Sequence, residues 1–132
     1  MAKSALDRAK ELQDRTKRFA IRIVKMFKVL PKTDEARLIG KQVLRSGTSV
    51  AANYRAVCRA RSKAEFAAKM GVVVEEIDET VFWMELLVET DIVTDSKMKE
   101  LISEANELLA IFAASRSTAR RRIDGLSDWQ IQ

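Results

Sequence analysis

Apolar residues along this chain recur at steps of three and four, the spacing that keeps side chains on one face of an α-helix. The first such stripe is Phe19, Ile23, Phe27 and Leu30. Ser4 can cap its start, with Asp7 three residues on. Pro31 ends it, because a proline forces the preceding residue out of the helical region. Thr33 then caps a second helix, and Asp34 and Glu35 stand where the helix dipole favours acids. Its stripe is Ile39, Val43, Val50, Tyr54 and Val57, with Gly47 beside it, and it runs to about Ala60. Ser62-Lys63-Ala64-Glu65 is a capping box opening a third helix. There Phe66, Met70, Val73, Ile77, Met84 and Val88 hold one face for about six turns. Thr94 or Asp95 caps a fourth, carried by Met98, Leu101, Ala105, Leu108 and Phe112. The final IDGLSDWQIQ has no clear period and reads as a tail. The pattern predicts an all-α protein: an antiparallel up-and-down four-helix bundle over 1–121, followed by a C-terminal tail over 122–132.

Composition agrees. A chain of 132 residues suits one domain, and with 4 glycines and 1 proline it has few turns, so its elements must be long. The longest apolar run, Leu108 to Ala114, is far too short to span a bilayer. Lys3, Asp7 and Arg8 stand where a secretory leader would be apolar, so the expectation is a cytoplasmic protein without a membrane role. Histidine is absent and Cys58 is the single cysteine. These counts exclude a histidine-based triad, a disulfide within the chain and a structural zinc site. Cys58 then reads as a packing residue. No catalytic residue, metal ligand or cofactor is expected.

Charge is distributed unevenly. Residues 1–63 carry 17 Lys and Arg against 5 Asp and Glu, a net +12, whereas residues 64–132 carry 7 against 14, a net −7. At about 100° per residue, Arg37, Lys41, Arg45, Arg55 and Arg59 share an arc of about 80° opposite the apolar stripe of the second helix. Thr48 and Ala52 leave a shallow gap between them. Arg15, Arg18, Arg22 and Lys25 share a similar arc on the first helix. Such ridges suit a nucleic-acid backbone, where cations release counterions from phosphates. They equally suit acids on a neighbouring subunit. No aromatic residues interleave with them, so stacking on single-stranded bases has no support in the sequence.

The third helix has the complementary face, with Glu75, Asp78, Glu79, Glu85 and Glu89 opposite its core stripe. Phe82 and Leu86 stand among these acids and Trp83 on their flank, which marks an oligomer or partner interface. Glu75-Glu76-Ile77-Asp78-Glu79 fits the EExxE half of the magnesium site in helical nucleotide pyrophosphohydrolases. The ExxD half is missing, so the acids read as a solvated face. Ser46-Gly47-Thr48-Ser49 is no phosphate loop either: the glycine and lysine order is wrong, and no strand precedes it.

The run GKQVLRSGTSVAANYRAVCRARSKAEFAAKMGVVVEEIDETVFWMELL resembles the bacterial four-helix-bundle proteins encoded in 23S rRNA intervening sequences. The LRSGTS…AN and SKAEF…ETxxWxELL blocks carry the likeness, which with the upstream FAIRIVKMFKVLPKTDEARLIGKQ spans about residues 19 to 87. The resemblance implies a homopentameric, ring-shaped assembly with no known enzymatic activity. A more distant likeness, to the accessory variability proteins of diversity-generating retroelements, implies basic pentameric barrels that bind a reverse transcriptase and nucleic acid. The reading is a non-enzymatic, ring-forming bundle that contacts RNA or DNA backbone through Arg37, Lys41, Arg45, Arg55 and Arg59, supported by Arg18 and Arg22. The alternative is a structural or partner-binding oligomer, for example a reverse-transcriptase accessory protein. Its basic faces would then serve subunit or protein contacts.

Overall fold

A computed structural model describes residues 3–131, with side chains through Gly125. Its four helices are α1 (Ala5–Lys28), α2 (Asp34–Val57), α3 (Lys63–Glu89) and α4 (Asp95–Ile131), and no strand occurs among the described residues. Three starts are capped as the sequence predicts. Ser4, Thr33 and Ser62 accept from the backbone N–H of Asp7, Ala36 and Glu65 at 3.1, 3.3 and 3.0 Å. Each bond satisfies one of the donors that a helix start leaves without an internal partner. Two boundaries differ from expectation. α2 ends at Val57, with Cys58 exposed at its cap and Arg59 in the following turn. α4 continues as helix to Ile131, through the stretch that lacks an apolar period.

The stripes read from the sequence form the core: Ile23, Val43, Val50, Val73, Ile77, Met84, Leu108 and Phe112 are fully buried. Tyr54 of α2 meets Phe112 of α4 across the bundle, ring centroids 5.0 Å apart. α3 is buried on more sides than its stripe implies, since Val81 and Leu87 are also inside. The cause is its position, packed against both α2 and α4, whereas α1 packs along α2 and meets α4 sparsely. Burial of Thr80 and Ser46 adds a polar contact between α2 and α3. Their hydroxyl oxygens lie 2.8 Å apart, and each also reaches a carbonyl one turn back on its own helix. Small residues allow the close approach. Gly47 sits against Ile23 of α1, and Gly71 of α3 lies under the side chain of Arg116 from α4.

The antiparallel order places the start of α1, the end of α2, the start of α3 and the second half of α4 at one end of the bundle. At the other end lie the α1–α2 turn and the α3–α4 turn. In the latter, Asp91 adopts φ 61°, and the N–H groups of Ile92 and Val93 both return to the carbonyl of Leu87. This left-handed residue is what reverses the chain after α3.

Candidate nucleic-acid interface

The register between α2 and α3 follows from two contacts, Ser46 with Thr80 and Arg45 with Glu76 and Glu79. Moving along α2 from Arg45 toward its end therefore moves along α3 toward its start. Arg55 and Arg59 come level with Lys69 and Glu65. There the two helices enclose a groove of about 610 Å³ lined by Arg55, Arg59, Arg61 and Lys69, with Glu65 and the small Ala52 and Ala56. Glu65 is ion-paired with Lys69 at 2.8 Å, which draws its pKa down. Four cations and one carboxylate leave the groove strongly positive. Arg55 and Arg59 are among the residues the sequence singles out; of the two small residues expected to leave a gap, Ala52 lines the groove and Thr48 does not. Arg61 and Lys69 complete the site from outside the ridge.

The remaining ridge residues fare differently. Arg37 and Lys41 are exposed further up α2, with no ion-pair partner among the described residues. Arg45, at the edge of the arc, turns toward α3 and pairs with Glu76 at 3.3 Å and with Glu79. Its charge is met within its own chain. Glu79 also accepts from the Trp83 indole N–H at 3.1 Å. The Arg45 guanidinium first, and the indole second, hold the Glu79 carboxyl below its usual range. Glu76 and Glu79, part of the acidic run on α3, are thus engaged by an arginine.

The ridge on α1 turns toward a different neighbour. Arg15 forks onto Glu104 of α4, its Nε 2.8 Å and its terminal nitrogen 2.5 Å from the two carboxylate oxygens, and reaches Glu107 at 2.8 Å. Arg18 and Arg22 are exposed, and Arg22 is close enough to Glu104 to bias its titration. These residues lie on the α1–α4 side and do not join the α2–α3 groove. Hydrogen bonding from Arg15 outweighs desolvation and lowers the Glu104 pKa from the ordinary 4.5. A carboxyl with a depressed folded pKa stabilises the fold above its unfolded pKa and loses that contribution as pH falls through the folded value. Unfolding by urea should therefore show stability flat from neutral pH down to about 5, then falling. Glu104→Gln should flatten that acid limb. Arg15→Ala, by leaving a part-buried carboxylate without its donor, should cost about 1–3 kcal/mol at neutral pH.

The expected interface residues lie at the opposite end of the same α2–α3 face. Phe82 is 54% exposed and meets Trp83 edge-on at 4.9 Å, while Trp83 and Leu86 are half-buried against the core. Leu38 joins them. It lies two turns from Arg45 on the same side of α2, level with Leu86 by the register above, and is 66% exposed. One helix pair therefore presents an apolar patch, an arginine held by two carboxylates and a cationic groove in succession.

A family model described as 23S rRNA-intervening sequence protein matches residues 8–114. The chain belongs to this family. Among solved structures, it is similar to a protein of unknown function from the S23 ribosomal protein family of Bacteroides thetaiotaomicron. The two share 31% identity over 83% of this chain and 97% of that one, with a TM-score of 0.77. No curated protein matches. The family match ends at Ala114, so Arg116, Arg120, Arg121 and Arg122 on the last part of α4 lie beyond it. No helix among the described residues is long and apolar enough to cross a membrane.

Proposed function

We propose that this member of the family is a non-enzymatic, cytoplasmic, ring-forming protein that binds the RNA or DNA backbone through the groove between α2 and α3. The observation that carries the reading is the convergence of Arg55, Arg59, Arg61 and Lys69 on one groove, with Glu65 as its one acid. Arginine forks match phosphate oxygens, and a groove flanked by small alanines lets a backbone approach closely. Arg37 and Lys41 extend the contact along α2. Filter binding of RNA and DNA across a salt series tests it. A line of log affinity against log salt with a steep negative slope is the expected result; no detectable binding at low salt removes the reading.

The second reading, an oligomer whose role is to hold a protein partner, is favoured by the apolar patch of Leu38, Phe82, Trp83 and Leu86. In a homopentameric ring, this patch would receive the neighbouring subunit. Sedimentation of the full chain measures the mass directly. A pentamer that falls apart on Phe82→Glu places the patch between subunits, whereas an unaffected pentamer leaves the patch to a different protein.

A further inference from the structure

At the end of the bundle where α1 begins and α4 passes α3, a cleft of about 1010 Å³ opens beside the cationic groove. Its depth is apolar. Tyr54 and Val57 are buried, and Phe66, Ile111 and Ala119 are half-buried. Its edge is not. Arg61, Lys63 and Arg122 are exposed around it, and Ser115 and Thr118 of α4 line the same space. The sparse contact between α1 and α4 is what leaves it open, with Ala9 of α1 on its border. Arg61 lines both this cleft and the α2–α3 groove. A chain of phosphates held in the groove therefore passes the mouth of the cleft.

We propose that the cleft takes one unpaired nucleoside of a strand whose phosphates lie in the α2–α3 groove, so that the protein selects single-stranded over duplex nucleic acid. This rests on the nucleic-acid reading above and gives it a substrate class. A base has apolar faces and a polar edge. Phe66, Val57 and Ile111 suit the faces, the α4 hydroxyls suit the edge, and Arg61, Lys63 and Arg122 suit the flanking phosphates. In a duplex, bases are stacked and paired, so none can enter without being extruded. A purely cationic surface does the reverse: it draws more counterion release from the denser charge of a duplex. A preference for the single strand is thus a signature of the cleft. The aromatic that the sequence did not place among cations is Phe66, which the fold sets beside Arg61 and Lys63.

Fluorescence anisotropy at one fixed salt concentration tests this, with a labelled single-stranded oligonucleotide and the duplex of the same sequence. The full chain should bind the single strand about tenfold more tightly, the scale of one base–aromatic contact. Ala114 is exposed on α4 and lines the cleft, so Ala114→Trp obstructs it without replacing a buried residue. That variant should lose the preference by weakening single-strand binding alone, and its unchanged duplex affinity shows that the fold and the groove are intact. Phe66→Leu, which keeps the apolar volume, should also reduce the preference. Equal affinity for the two forms in the unaltered chain, or a preference that survives Ala114→Trp, overturns the cleft proposal and leaves the groove standing. Failure to bind either form overturns both.

Discussion

Gly47→Val should cost the bundle about 3 kcal/mol, the upper part of the range for overpacking a filled core. A Cβ built at Gly47 lies 2.9 Å from Cγ1 and 3.1 Å from Cγ2 of Ile23, which is fully buried on α1. Those atoms sit on the β-carbon of a branched side chain, so they cannot swing aside without moving α1. Even Gly47→Ala should be destabilising, by about 1 kcal/mol, although alanine is the better helix former by about the same amount. Gly40 provides the contrast. A Cβ there lies 2.6 Å from Cδ1 of Leu30, the free end of a side chain that can rotate away, with the Phe27 ring next at 3.3 Å. Gly40→Ala should therefore fall within about 0.5 kcal/mol of the unaltered chain, because the gain in helix propensity offsets the adjustment. Urea unfolding of the three variants decides the matter. If Gly47→Ala is as stable as the parent, or less harmed than Gly40→Ala, the close α1–α2 contact is not as described.

Gly47 also shows how much of this fold was legible in the sequence. Its neighbours Val43, Val50 and Tyr54 follow a helical period, so the stretch that superficially suggests a phosphate loop reads as mid-helix, and it is. Periodicity likewise located the buried faces of all four helices, and cap residues located three of their starts. Period alone could not show what depends on the register of one helix against another. Arg45 lies on the same arc as Arg55, yet its level on α2 puts it opposite Glu76 and Glu79, and its charge is met there. Arg61 and Lys69 belong to no ridge and enter the groove only because the chain turns after Cys58 and brings α3 back alongside α2. Leu38 reads as an isolated exposed leucine until the register sets it level with Leu86. Dividing the charge by halves of the chain hid a further feature. Of the seven cations in the acidic half, Arg116, Arg120, Arg121 and Arg122 return along α4 to the end where Arg59, Arg61 and Lys63 lie.

If the groove holds phosphates, reversing Arg55 and Arg59 to glutamate together should weaken binding on the order of a hundredfold at low salt. Each charge-assisted contact is taken at about 1.5 kcal/mol, and 1.4 kcal/mol is a factor of ten. The salt slope should also shrink by about 1.8 on duplex, since each phosphate contact releases about 0.9 of a counterion. That double change lowers the whole-molecule charge from +5 to +1, so a loss of affinity alone would not locate the site. Lys97→Glu with Lys99→Glu makes the same change in net charge in the first two turns of α4, at the opposite end of the bundle. There the added acids suit the helix dipole, and the slope should stay near that of the unaltered chain. Arg45→Gln is the third arm. Arg45 lies about 15 Å along α2 from Arg55, beyond a Debye length of about 8–10 Å, and its charge is already opposed by Glu76 and Glu79. It should leave the slope unchanged and cost under about 1 kcal/mol of stability, as expected for a half-exposed pair. Losses in proportion to the charge removed, equal in the first two arms and about a quarter as large for Arg45→Gln, would mean that binding follows net charge and not the groove. A loss confined to Arg55 and Arg59 ties it to the place where α2 ends and α3 begins.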